Sequence, residues 1–520
     1  MELSNNQSRT KNVFFNVGSN FIVNIMKNVF SFVTRTVFIY CLGKDALGLN
    51  GLFTNILSML SIADLGISSA INFSLYKPLA NKDKKNITAL MNFYKKVYRI
   101  VGFAIMFLGL VLMFFLKYFI KDISEISNVY IIYILYLLNT VSTYFISYKE
   151  TLIIADQKKY KIAKIELLFL LIMNIIQIVF LLLTKNFIIF LSVQILVQII
   201  QRIVINRYIT KEYSFINFSD NIPVKKEDMK VIKKNVRAMF FHKIGDYCIN
   251  GTDNLIVSSF INISTVGVYS NYLSITSLIG SFINLIYNNL TASLGNLFVT
   301  SDDNKKHDVF KKMDFVAALL YGVSFVLLIN IFNDFILLWV GKDYQLEYIV
   351  VVALLISFYL TGMRIPCSTA KIAAGIYDAD KFTPIIQSVV NLVVSIVLVK
   401  KIGLLGVIIG TIVSSLVLPS WQRPYLVYKY VLHRSSKEYY VRQAKNIGIL
   451  FVTSMLTFII FKYVVVSKLL FRIIIKIAVT IIIFVSLIIV VHKDTTEYKY
   501  ALDMLKKILR RVKRNEKEIN

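Results

Sequence analysis

Proline and glycine are scarce, at 6 and 20 of 520 residues. Little in the chain therefore interrupts regular structure. Cysteine is scarcer still. Cys41, Cys248 and Cys367 all fall in apolar stretches, with no spacing for a disulfide framework or a zinc site, so they read as small buried residues. Acidic residues number 30 against 59 Lys and Arg, giving a net charge of +29. Such an excess suits a nucleic-acid surface, but these cations sit mostly in short loops and are not interleaved with aromatics, which argues against nucleic acid as a partner. The alternation of apolar and charged faces expected of a soluble chain is missing too. So is a cleavable leader: twelve mostly polar residues run straight into an apolar segment too long for a signal-peptide core.

What is present is apolar length. Hydrophobic residues make up 56% of the chain, in recurrent runs of about twenty, enough to cross about 30 Å of hydrocarbon. Fourteen spans are predicted, near 13–41, 50–75, 97–120, 129–154, 165–184, 187–209, 238–261, 266–298, 315–340, 348–375, 382–400, 403–428, 446–466 and 469–492. Loops after even-numbered spans are the basic ones. They include Lys82, Lys84 and Lys85, then Lys158, Lys159 and Lys161, then Lys225 to Arg237, and the tail adds Lys506, Lys507, Arg510 and Arg511. The asymmetry predicts that both termini lie in the cytoplasm. External loops are short, which leaves little room for the outer domain that an enzyme acting on extracellular glycans needs.

The chain also repeats itself. LGLNGLF (47–53) matches VGVYSNY (266–272), FYKK (93–96) matches VFKK (309–312), and Lys149, Asp156, Lys159 and Tyr160 match Lys371, Asp378, Lys381 and Phe382. The offsets are 219, 216 and 222. Spans 1–6 are read as duplicated in spans 7–12, giving an N-lobe over 13–210, a basic linker over 211–237 and a C-lobe over 238–430. Spans 13 and 14 (446–492) and a basic tail (493–520) follow. The expected fold is an all-α polytopic membrane protein of about fourteen transmembrane helices: two pseudo-symmetric six-helix lobes plus two C-terminal helices. An even number of spans per copy sets the lobes about an axis along the membrane normal, an arrangement suited to alternating access.

Charge inside these spans marks candidate sites, because a cation at mid-bilayer costs roughly 3 kcal/mol or more. At helical spacing, Asn16, Asn20, Asn24, Lys27, Ser31, Thr34 and Arg35 share one face of span 1. Span 7 aligns His242, Asp246, Asn250 and Asp253; span 2 adds Asp64, span 8 adds Tyr269, Asn284 and Tyr287, and span 10 adds Arg364 and Lys371 beside Pro366. Amides and hydroxyls suit sugar, and Lys and Arg suit phosphate. On this reading Asn20, Asn24, Lys27, Ser31, Arg35, Tyr269, Asn284, Tyr287, Arg364 and Lys371 meet substrate, while Asp64, His242, Asp246 and Asp253 are coupling-ion or ion-pair candidates. Structural readings stand beside these. Arg35 sits near a span end where it can snorkel. Lys27 can form a static pair with Asp64 or Asp246, Asp253 can cap or staple helices, and His242 suits a hydrogen-bonded helix position better than a proton carrier. No cofactor or metal is implied.

The run RTVFIYCLGKDALGLNGLFTNILSMLSIADLGISSAINFSLYKPLA (35–80) resembles the amino-terminal signature of Wzx-type polysaccharide repeat-unit flippases. GTDNLIVSSF (251–260) and KIAAGIYDADKFTPII (371–386) resemble their second-half signatures. The family lies in the superfamily of multidrug, oligosaccharidyl-lipid and polysaccharide exporters. The resemblance implies a MATE-like fold with a V-shaped central cavity. It also implies transfer of undecaprenyl-diphosphate-linked oligosaccharide from the inner to the outer leaflet of a bacterial plasma membrane, with membrane lipids as partners; the span carboxylates Asp64, Asp246 and Asp253 make H⁺ or Na⁺ a candidate driving ion. Three other functions were weighed: a cation-coupled drug exporter, against which the cationic span 1 argues; a peptidoglycan-precursor flippase; and a glycan polymerase or ligase, which the short external loops disfavour.

Overall fold

The computed structural model describes residues 2–61, 67–121, 123–217, 222–376, 378–464 and 466–519. Within these, side chains are described except at 2–25, 67–70, 125, 147, 235, 237–250, 378, 508–509 and 511–519. Asp64 lies outside the described residues, as do the side chains of Asn20, Asn24, His242 and Asp246.

The described residues form helices joined by short turns, with no strand among them. The first ten helices are α1 (Glu2–Leu60), α2 (Ile67–Ala80), α3 (Lys84–Met113), α4 (Leu116–Phe119), α5 (Val129–Ile146), α6 (Glu150–Ala155), α7 (Tyr160–Thr184), α8 (Phe187–Glu212), α9 (Lys226–Phe260) and α10 (Ile263–Thr300). The others are α11 (Asp303–Trp339), α12 (Tyr348–Met363), α13 (Ile365–Ala373), α14 (Thr383–Ile402), α15 (Leu404–Val417), α16 (Pro419–Tyr430), α17 (Lys437–Tyr463), α18 (Leu469–His492) and α19 (Thr496–Ile519). Among the described residues, helix runs through the predicted span positions. Among the described residues, ten segments are long and apolar enough to cross a membrane by length and composition. The span positions outside that set fall on α1, α2, α9 and α10, the helices of spans 1, 2, 7 and 8.

Two compact units divide after Ser270 rather than in the 211–237 linker. In the first unit α9 packs on α1, α2 and α4, while α7 lies along α1 and α8. Phe53 packs edge-on against Tyr133 and Tyr136 at its centre. The end of the linker is tied down by polar contacts. Asp83 caps α3 by accepting from the Asn86 N–H at 3.1 Å, Lys225 reaches Asp83 at 3.2 Å, and Asn86 donates to Asp228 at 3.0 Å. The Asn86 N–H first, then Lys225, holds the Asp83 carboxyl below the usual carboxylate range.

In the second unit α11 is the central helix, flanked by α12, α17 and α18. Phe310, Cys367, Ala370, Val427, Tyr428 and Tyr439 build an apolar core between α11, α13, α16 and α17. The C-terminal pair α17–α18 is joined to α11 by polar contacts. Asn330 donates to Thr457 at 3.0 Å and Thr480 at 3.1 Å, and Asp334 accepts from Arg472 at 2.7 Å and Lys476 at 2.8 Å. Helix association within a bilayer relies on such bonds because lipid is as apolar as the helix surface.

Candidate functional site

The predicted turn between spans 1 and 2 is a break within α1. Gly43 takes φ 77° and ψ −169°, left-handed backbone that glycine adopts without a Cβ clash. The break sends the chain into a corner at 44–50 that packs against the corner joining α9 to α10. Two glycines make that contact. A Cβ on Gly48 would lie 2.0 Å from the Ile263 carbonyl oxygen, and one on Gly267 would lie 2.1 Å from the Lys44 carbonyl oxygen.

Gly48 and Gly267 are repeat-equivalent at the offset of 219, and so are Lys44 and Ile263. The two copies therefore meet through equivalent residues exchanged across a local pseudo-two-fold. Ser264 donates its hydroxyl proton to Asp45, and this pair is again repeat-equivalent. Nearby, Lys121 N–H donates to the Ser258 carbonyl at 3.2 Å, and Ser259 donates to the Phe119 carbonyl at 3.3 Å.

Below this corner the polar face of α1 divides. Arg35 is half-buried and donates from Nη2 to Ser270 Oγ at 2.7 Å. Thr34 is buried and donates to Asn174 on α7 at 2.5 Å. Lys27 and Ser31 are exposed. Lys27 lies near enough to α7 that its charge, with that of Lys159, acts on the Glu166 carboxylate. Asp253 is half-buried and its charge acts on the buried Tyr269. Arg35, Asp253, Tyr269 and Ser270 thus gather near the glycine corner, with Lys27 two helical turns along α1 from Arg35.

In the second unit Asn284 is exposed. Tyr287 is buried and donates to the Met313 carbonyl at 2.7 Å. Lys371 is buried and pairs with Asp380. Protein partners thus occupy Tyr287 and Lys371 in this structure. Arg364 is 8% exposed at the break between α12 and α13, where Pro366 cannot supply a helical N–H. Its Nη2 donates to Thr361 at 3.1 Å.

Sequence reasoning passed over Glu166, Asn174, Arg423 and the Asp334–Arg472–Lys476 cluster. Glu166 had a visible signal, since it is a carboxylate inside predicted span 5. Arg423 had one too, falling inside predicted span 12.

The model of the polysaccharide biosynthesis protein family matches residues 13–290, a region holding both glycine corners and the first unit from residue 13 onward. No curated protein matches the chain. Among solved structures, an inward-facing multidrug resistance MATE family transporter of the MOP superfamily superposes with a TM-score of 0.61 at 14% identity, covering 78% of this chain and 97% of that one. The lipid II flippase MurJ, in an inward closed conformation, also gives 0.61, at 16% identity, covering 93% and 99%. At such identities the likeness is one of fold. The chain therefore belongs to the polysaccharide biosynthesis protein family, to which its Wzx-type signature pointed, and is a multi-pass membrane protein with the fold of MATE transporters and a lipid flippase.

Proposed function

We propose that the protein moves an undecaprenyl-diphosphate-linked oligosaccharide from the inner to the outer leaflet of a bacterial plasma membrane by alternating access. The observation that carries the reading is a conjunction. The family is one of polysaccharide biosynthesis, and the fold, over 93% of the chain, is shared with a lipid II flippase. Both termini lie in the cytoplasm on this reading, because the basic loops and tail lie on that side. The prenyl tail stays in lipid while the head group crosses along the polar faces. Lys27 and Arg35 attract the diphosphate, since an uncompensated anion is costly in a low-dielectric environment. Ser31, Asn20, Asn24 and Asn284 meet sugar hydroxyls, and Asp253 carries H⁺ or Na⁺ on this reading. The membrane potential also drives an anionic head group outward, by about 2.3 kcal/mol per charge per 100 mV.

The corner of Gly48 and Gly267 closes the outer end, and its opening releases the head group. Drug export on the same fold has the MATE likeness in its favour, but the cations of α1 repel the cationic drugs that reading would require. Mass spectrometry of lipid-linked sugars after gene removal tests the proposal. Prenyl-diphosphate oligosaccharide should accumulate in the inner leaflet. Unchanged lipid-linked sugars together with new drug sensitivity would replace flipping with drug export.

A further inference from the structure

The second unit holds a pair of guanidinium groups with no acidic partner among the described residues. Arg364, 8% exposed, spends only Nη2 on the protein. Its Nε and Nη1 are buried without a hydrogen-bond partner among the described residues. The charged side chain acting most strongly on it is another cation, Arg423 of α16. Arg423 donates from Nη1 to Ser368 at 3.0 Å, one helical turn beyond Arg364, and its own Nε is likewise buried and unpartnered among the described residues.

The described carboxylates of this region each have other partners. Asp314 accepts two bonds from Gln443, at 3.0 and 3.2 Å, and faces Arg442 at 3.6 Å. Asp380 holds Lys371. Glu438 holds Arg442 at 2.8 Å and His307 at 3.2 Å. A guanidinium does not shed its proton, so the buried Arg364 beside the half-buried Arg423 carries an uncompensated desolvation cost plus repulsion between the two. An anion with several acceptor oxygens relieves both at once.

From this geometry we infer that Arg364 and Arg423, with Ser368 between them, form a binding site for a phosphate-bearing group. Phosphate is the fitting class because it offers acceptors in several directions and up to two negative charges, matching donors that diverge from two side chains. The site lies near the end of the unit that carries Arg434 and Lys437, the end that the charge asymmetry puts on the cytoplasmic side. It extends the flippase reading, in which Arg364 is a substrate-side residue, but its test does not pass through export.

Trp421 stands two residues from Arg423, its ring 4.9 Å from that of Tyr440, and Trp339 is the only other tryptophan in the chain. In a full-length Trp339→Phe protein in neutral detergent, inorganic pyrophosphate should change Trp421 fluorescence saturably. Arg364→Gln and Arg423→Gln should each weaken that binding about ten-fold or more, as expected for loss of one charge-assisted contact. Repeating the titration in nanodiscs separates the sources. Suppression by phosphatidylglycerol but not by phosphatidylcholine assigns the site to a lipid headgroup phosphate. An undiminished response assigns it to a phosphate group delivered by another molecule.

No saturable response in detergent, or one that both variants leave unchanged, overturns the site. Stability gives a second measurement. Without added anion, Arg423→Gln should unfold no earlier than its parent, because it removes a repulsion while Gln can still reach Ser368. A clear loss of stability there makes Arg423 a structural donor and also overturns the proposal. If Arg364→Gln does not fold, Arg423→Gln alone decides the binding arm.

Discussion

The glycine corner is the contact where a small perturbation should have the largest functional effect. In Gly48→Ala, Gly267→Ala, each new methyl would sit about 2 Å from a backbone carbonyl oxygen, at Ile263 and at Lys44. Carbon and carbonyl oxygen in close contact stay about 3.3 Å apart, so each side must withdraw by about 1.3 Å. Backbone cannot rotate away as a side-chain tip can, and the two clashes act on the same pair of helices. Overpacking of this kind costs about 1–3 kcal/mol, which moves a closed–open equilibrium about 5- to 140-fold toward open.

Val266 is fully buried beside Gly267 and makes a suitable reporter. In a protein with Cys41, Cys248 and Cys367 replaced by Ala, Val266→Cys should resist a membrane-impermeant maleimide added outside cells. With the two alanines present it should label, and export of the glycan should fall while abundance holds. Labelling that stays absent with export intact would refute the idea that this corner opens. Lost abundance without labelling would mean that the corner is static packing.

Other expectations follow from the same contacts. Lys27→Ala should block glycan export at near-normal abundance, with Lys27→Arg partly active; if Lys27 serves only to offset Glu166, abundance falls instead and Glu166→Gln restores both abundance and export. Cysteines placed at Lys230 and at Arg510 should label only from the cytoplasm, and external labelling at either site overturns the topology. Asp334→Ala strands Arg472 and Lys476 and should destabilise the protein by about 2–3 kcal/mol, below the full cost of breaking a deeply buried pair because these groups keep some exposure; thermal unfolding in detergent measures it, and a change under about 0.5 kcal/mol, typical of surface substitutions, contradicts the anchoring role.

Hydropathy and charge by themselves determined the class of this molecule. A run of twenty apolar residues has one stable form in hydrocarbon, the helix, because every backbone polar group must be satisfied within the segment. That is why, among the described residues, helix runs through the predicted span positions. The match of LGLNGLF to VGVYSNY likewise located two equivalent segments from sequence.

Helical periodicity names the face a side chain occupies, but not what lies opposite. Span 1 read as one polar stripe, and only packing separated Thr34, turned to Asn174, from Arg35, turned to Ser270, and from the exposed Lys27. Lys371 and Tyr287 looked like cavity residues until Asp380 and the Met313 carbonyl came within reach of them. Arg423 lies about 60 residues from Arg364, on a different helix. No local pattern predicts that two cations so far apart will be neighbours, since that depends on how α13 and α16 enclose the core around Cys367. The repeat showed that Gly48 and Gly267 are equivalent. Their meeting was decided in three dimensions, where the absence of a Cβ on both lets the two backbones touch.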